Sequence, residues 1–190
     1  EVYSRFYYGD LGSGPARSPS FMDVCDPDDR VIYINTFSKN WAMTGWRIGW
    51  LQAPAALGPA IERIIQYNTS GTAAFMQRGA LAAIEHGEDF VAMQIKMARS
   101  CRDKVADALG QLNNVSFEQP TGAFYNFFRI DGLEDSLKAA LRIIDEANVG
   151  LAPGGTFGPG GEGFLRMCYL RDPDSLDEAL DRLIKWLRTA

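Results

Sequence analysis

The chain has 190 residues, 46% hydrophobic and 23% charged, an ordinary globular composition with room for one large domain or parts of two. A net charge of -5 with no basic stripe argues against a nucleic-acid partner, and no apolar run approaches membrane-spanning length. Three cysteines, Cys25, Cys101 and Cys168, lie far apart with no CxxC pair and read as reduced core residues. With nothing at the start resembling a signal peptide, a cytoplasmic location is expected.

The opening Glu1-Val2-Tyr3 has no initiator methionine and reads as cut from something longer. Residues 1–8 read as the end of a strand running into an aromatic loop, and Gly9 to Pro19 as a loop by its Gly, Ser and Pro content. The β-branched run from Val31 predicts a buried strand, and the apolar run Trp46 to Leu51 predicts a second. Pro54 begins a helix to about Tyr67. Asn68 to Thr72 is a polar break, with Thr72 or Ser70 as N-cap of a helix over Ala73 to Glu85, and Gly87 as its C-cap. A long helix follows to about Leu112, with Phe90, Met97, Cys101, Val105, Ala108 and Leu112 on its apolar face.

The pattern then changes class. Val115 to Phe117 and Ala123 to Ile130 read as strands, and Leu133 to Ala147 as a helix with Leu137, Leu141 and Ile144 on its apolar side. Short strands at Val149 to Leu151 and Phe164 to Leu170 enclose the glycine-rich stretch Pro153 to Gly163, read as a mobile loop. Asp172-Pro173 opens a final helix with the stripe Leu176, Leu180, Leu183, Ile184 and Leu187. Strands alternate with helices before the long helix, and a smaller α+β arrangement follows it.

Chemistry concentrates between the two early strands. Lys39 sits where the first strand pattern fails, and Arg47 lies inside the second apolar run. An ammonium is costly to desolvate, so a lysine held there tends to become a neutral nucleophile suited to Schiff-base formation. A lysine that snorkels to water from a surface turn has the same spacing.

The segment Thr36-Phe-Ser-Lys39-Asn-Trp-Ala-Met-Thr-Gly-Trp-Arg47-Ile-Gly resembles the lysine signature of class I/II aminotransferases, pyridoxal-phosphate enzymes of the aspartate aminotransferase fold. Three further stretches fall in the order this family requires. Glu1-Val2-Tyr3 is similar to the tail of its Asp-Glu-Val-Tyr segment, and Pro120-Thr-Gly-Ala-Phe-Tyr125 to the strand entry of its small domain. Pro153-Gly-Gly-Thr-Phe-Gly158 followed by Gly163-Phe-Leu-Arg166 is similar to its closing loop and carboxylate-binding arginine. Together they cover essentially the whole chain.

The resemblance implies an α/β fold: the C-terminal part of a fold-type I transferase dependent on pyridoxal 5'-phosphate. Residues 1–87 would be the end of the large mixed-sheet domain, and 88–190 the connecting long helix and a small α+β domain. The implied reaction moves an amino group between an α-amino acid and a 2-oxo acid, in a homodimer. Lys39 would form the Schiff base and shuttle a proton, a role that needs its amine neutral. Arg47 would grip the cofactor phosphate as a planar fork, with the hydroxyl of Thr36, or of Ser38, beside it. Tyr3 would donate to the cofactor's phenolic oxygen, and Arg166 would hold the substrate α-carboxylate.

Gly158 to Gly163 spells GxGxxG, but a strand follows it where a dinucleotide fingerprint needs a helix. His86 reads as a helix-end residue, and without a second histidine or paired cysteines a zinc site is not expected. The family's pyridinium-binding aspartate, phosphate-cupping helix and ring-stacking aromatic would all precede Glu1, so the isolated chain is expected to be inactive. A lyase of the same fold, or an aminotransferase-like sensor domain of a transcription regulator, would carry the same Lys39, Tyr3 and Arg47.

Overall fold

The structure, a computed structural model, describes residues 1–9 and 17–189, so most of the loop expected over Gly9 to Pro19 lies outside the described residues. The chain divides into two compact units, Glu1–Ile95 and Lys96–Ala190.

In the first unit, residues 1–5 form turns rather than the end of a strand. The amides of Ser4 and Phe6 donate to the carbonyls of Glu1 and Tyr3, closing four-residue turns, and an isolated bridge at Tyr7 follows. Phe6 follows and is fully buried. A 3-10 turn at Phe21–Asp23 is closed by a capping box, with Ser20 Oγ accepting from Met22 N and Asp23 Oδ2 from Ser20 N. Strand β1 (Tyr33–Thr36) then pairs antiparallel with β2 (Gly49–Gln52), from Tyr33 opposite Gln52 to Thr36 opposite Gly49. A Cβ on Gly49 would stand 2.4 Å from the Asn35 carbonyl oxygen, so the pairing requires glycine there.

Neither strand is buried, contrary to the expectation from their apolar runs: β1 is half-buried at most and β2 is exposed throughout. A two-stranded ribbon has only one neighbour per strand and no second layer to cover both faces. Between the strands come helix α1 (Phe37–Asn40) and a 3-10 turn at Thr44–Trp46. Phe37, Met43 and Ile48 from this excursion form a small core with Ala80, and Trp41, Met76 and Ala83 pack against it.

Helix α2 (Gly58–Asn68) has no buried residue. Helix α3 (Ala74–His86) starts on Ala73 and not on a side-chain cap, because the amides of Met76 and Gln77 donate to the Ala73 carbonyl. Ser70, one of the caps expected, instead takes a φ of 54° and turns its hydroxyl back to the Gln66 carbonyl. Gly87 closes α3 as expected, donating to Ala83 O. Helix α4 (Glu88–Leu109) runs through the division between the units. Its first residue, Glu88, is paired with Arg5. The stripe it buries is Val91, Ala98, Cys101, Val105 and Leu109, so in its first half the face lies one residue beyond the expected one and Phe90 is exposed.

The second unit is built on a four-stranded antiparallel sheet in the order β3 (Val115–Phe117), β4 (Tyr125–Ile130), β6 (Phe164–Cys168), β5 (Ala152–Pro153). The strand expected at Val149 to Leu151 forms just after it, because Val149 N still donates back to Ile143 at the helix end. Inward residues alternate strictly along the central strands: Asn126, Phe128 and Ile130 on β4, Leu165 and Met167 on β6. Helix α5 (Ser136–Ala147) starts at its N-cap Asp135, whose carboxylate accepts from Lys138 N at 2.8 Å. It buries Ala139, Ala140, Ile143 and Ala147, while Leu137, Leu141 and Ile144, the face expected inside, are exposed. Small residues let the helix lie close against its neighbours, which the leucine face would not.

Helix α6 (Pro173–Leu187) follows expectation, capped by Asp172 accepting from Ser175 N and burying Leu176, Leu180, Leu183 and Leu187. The glycine-rich stretch is not a featureless loop. It folds into two 3-10 turns, Gly154–Phe157 and Pro159–Gly161. Among the described residues, no helix is long and apolar enough to cross a membrane.

Candidate functional site

The residues singled out from the sequence fall into two groups, one in each unit. In the first, Thr36 ends β1 with an extended backbone and caps α1, its Oγ1 accepting from Ser38 N at 3.0 Å. Its hydroxyl lies 2.9 Å from Ser38 Oγ and 3.2 Å from the Ile48 carbonyl, so it holds the helix start to the base of β2. Ser38 is buried directly beneath. The cap fixes the single turn of helix that carries Lys39, which the sequence places on a bare turn.

Lys39 is half-buried, and its Nζ stands 5.8 Å from the centre of the Tyr3 ring. Among the described residues no carboxylate comes within ion-pair distance of it. The Tyr3 segment is held there by the next residue, as Asn40 Nδ2 donates to Ser4 Oγ at 3.3 Å. Asn40 is almost fully buried, and its Oδ1 has no partner among the described residues. A buried amide oxygen left unpaired costs roughly 1–3 kcal/mol.

Arg47 does not lie within a strand. It follows the Thr44–Trp46 turn with a φ of 50°, precedes β2, and donates to the Thr44 carbonyl at 2.9 Å while remaining exposed. No hydrogen bond joins it to Lys39, Thr36 or Ser38 among the described residues. The structure therefore gathers Tyr3, Thr36, Ser38 and Lys39, and leaves Arg47 on the adjoining turn.

Arg166 lies on β6, cross-strand from Phe127 on β4 and from Ala152 on β5. Its guanidinium carbon is 4.3 Å from the Tyr125 ring centre and 4.4 Å from that of Phe157. Each such contact stabilises a cation by roughly 0.5–2 kcal/mol. Phe127 stacks on Phe164 at 4.8 Å and meets Phe157 edge-on at 5.9 Å, so the rings brace one another. The Arg166 Nε is buried with no partner among the described residues. A charged donor left unpaired between two ring faces retains hydrogen-bonding capacity that the described residues do not use.

Tyr125 and Phe157 wall Arg166, and neither is among the site residues expected from the sequence. The period-two alternation of β4 places Tyr125 on the outward face with Phe127 and Arg129, and that signal was available. Nothing in the sequence brings Phe157 back onto β6.

The donor set suits an aldehyde that carries a phosphate: a primary amine without a carboxylate partner, two hydroxyls at a helix start, a tyrosine ring beside the amine and a nearby guanidinium.

The family model described as "Aminotransferase class I and II" matches residues 1–183. The chain is 34% identical over 189 residues to the aspartate aminotransferase of Thermotoga maritima, covering 100% of this chain and 46% of that protein. It is 34% identical over 191 residues to aromatic-amino-acid aminotransferase 2 of Thermococcus litoralis, covering 99% and 48%. The crystal structure of the aromatic aminotransferase from Pyrococcus horikoshii superposes with a TM-score of 0.89 at 32% identity, over 99% of this chain and 49% of that one. The chain thus spans about half the length of the relatives it matches.

Proposed function

The chain belongs to the class I and II aminotransferase family, and from that premise we propose that its residues serve the transfer of an amino group between an α-amino acid and a 2-oxo acid. Pyridoxal 5'-phosphate, when bound, supplies the electron sink that such a transfer needs. We assign residues 1–87 to the end of the large cofactor-binding domain and 88–190 to the connecting helix and small domain.

Lys39 is the amine that would hold the cofactor and carry a proton to and from the substrate α-carbon. Among the described residues no carboxylate comes within ion-pair distance of its amine, which leaves the amine unengaged for an aldehyde. Tyr3, held by the Asn40–Ser4 bond, would place its hydroxyl against the cofactor ring's oxygen. Arg47, with Thr36 and Ser38, would take the phosphate. The Thr36 hydroxyl already donates toward Ser38 Oγ and the Ile48 carbonyl, so Ser38, whose O–H donates to no group among the described residues, is the better placed of the two to donate to a phosphate. The observation that carries the reading is Arg166, braced between two rings with its Nε unpaired, which suits the α-carboxylate common to amino acids and 2-oxo acids.

We further read the whole protein as a cytoplasmic homodimer. Unpaired Cys25, Cys101 and Cys168 suit a reducing compartment, and α2, with no buried residue, offers apolar surface for association. The test is reduction of the chain with borohydride in the presence of pyridoxal phosphate, followed by peptide mass analysis. One adduct, at Lys39, is expected; labelling spread over many lysines would sink the assignment. Without the rest of the family's fold the chain is expected not to transaminate, and sustained turnover with an amino acid and a 2-oxo acid would refute that part.

A further inference from the structure

Phe157, one wall around Arg166, is itself half-exposed, so its own burial does not hold it there. What fastens its loop is a side chain at the loop's far end. Ser136, the first residue of α5, donates its amide to Glu162 Oε2 at 3.0 Å and its hydroxyl to Glu162 Oε1 at 3.1 Å. The same hydroxyl accepts from Gly155 N at 3.0 Å, and Ser136 is fully buried. One carboxylate thereby closes a ring through a helix start, a hydroxyl and the loop backbone.

The glycines show how tight the closure is. A Cβ on Gly155 would fall 1.8 Å from Glu162 Oε1. Gly154 and Gly161 touch backbone to backbone, each with a would-be Cβ 2.1 Å from the other's carbonyl oxygen. The two 3-10 turns are thus packed backbone to backbone, with Phe157 at the end of the first. Asp135, the N-cap of α5, accepts from Lys138 N, so Glu162 satisfies a second orphan amide of the helix start, that of Ser136. What Glu162 adds is the tie between helix and loop.

We propose that Glu162 is a positioning residue, a clasp that holds the Gly154–Gly163 turns on the start of α5 and so keeps Phe157 against Arg166. Its consequence for substrate affinity rests on the reading of Arg166 as the carboxylate-binding group; the clasp does not. Releasing it frees one wall of the ring enclosure, and Arg166 then samples orientations in which its fork is not presented.

Nitrogen-15 NMR of the arginine side chains tests this on the 190-residue chain. The Arg166 Nε–H signal, identified by its loss in Arg166→Lys, is expected to be ring-shifted in the wild type and to move in Phe157→Leu. Glu162→Ala is expected to move it toward the Phe157→Leu position, with Glu162→Gln, which keeps one acceptor, between. If Glu162→Ala does not fold, Glu162→Gln and Ser136→Ala carry the same comparison. A lowered melting temperature with the Arg166 signal unmoved overturns the proposal, since Glu162 would then serve stability alone. Titration with succinate separates the two readings. It is expected to shift the wild-type Arg166 signal and to bind Glu162→Ala several-fold more weakly. A wild-type signal that succinate leaves unmoved refutes the carboxylate reading, while the ring-shift comparison still decides the clasp. Equal succinate affinity in wild type and Glu162→Ala counts against the clasp's role in binding.

Discussion

Asn126 carries an unusual cost. It sits on the inward face of β4 between Phe124 and Phe128, fully buried, with neither its amide nitrogen nor its oxygen partnered among the described residues. Unpaired buried amide groups cost roughly 1–3 kcal/mol, whereas an apolar side chain of like size loses nothing there. Asn126→Leu is therefore expected to stabilise the chain by about 1 kcal/mol or more, seen as a rise in the urea midpoint; a lower midpoint would mean that the amide has partners after all. The sequence does not mark Asn126, because one polar letter inside Phe-Tyr-Asn-Phe-Phe does not disturb a strand pattern. Lys39 was legible for the opposite reason, as it interrupts one. Arg166 stood out as a charge among apolar neighbours, but its two ring walls required β4, β6 and the glycine turns to be folded together.

Among the elements, α5 separates periodicity from packing most clearly. Both of its faces repeat at helical spacing, and the heavier one, Leu137, Leu141 and Ile144, is the exposed one. Hydrophobicity alone favours burying leucines; the distance available between helix and sheet favours alanines. Ala140→Leu is accordingly expected to cost about 1–3 kcal/mol by overpacking, while Leu141→Glu should stay within about 0.5 kcal/mol. Chemical denaturation of both variants checks the pair, and the reverse order would mean that the leucine face is the packed one. Helix α4 teaches the same lesson in a milder form, with a face displaced by one residue in its first half. Helix α6 raised no such ambiguity, since its apolar stripe is single and its Asp172-Pro173 start is unmistakable.

At the scale of the whole molecule, three carboxylates among the described residues contribute an acid response. Arg17 holds Asp23 down at about 2, against an ordinary 3.8. Arg5 lowers Glu88, and Arg142 followed by the Trp186 indole lowers Glu146, each below an ordinary 4.5. A carboxylate whose folded pKa lies below its unfolded one adds stability that is complete above the unfolded value and is lost as pH falls toward the folded one. The melting temperature is thus expected to decline below about pH 4.5. Glu146→Gln should flatten part of that decline, and an unchanged acid profile in this variant would show that its bonds to Arg142 and Trp186 Nε1 contribute nothing. All three groups are largely exposed, so salt should weaken the effect.

The family was readable from the linear chain, and the proposals for Lys39, Arg47 and Arg166 start there too, because both depend on residue type at fixed spacing. So were the helices and strands with a single apolar pattern and unambiguous ends. Packing decided the rest. Which of two helical faces is buried depends on interhelix and helix–sheet distance, and whether an apolar strand is covered depends on how many neighbours the chain supplies. The ring walls of Arg166, the Asn40–Ser4 tie and the Glu162 clasp join residues distant in sequence through hydrogen bonds and ring contacts that carry no local periodicity. Such contacts exist only once the backbone has closed.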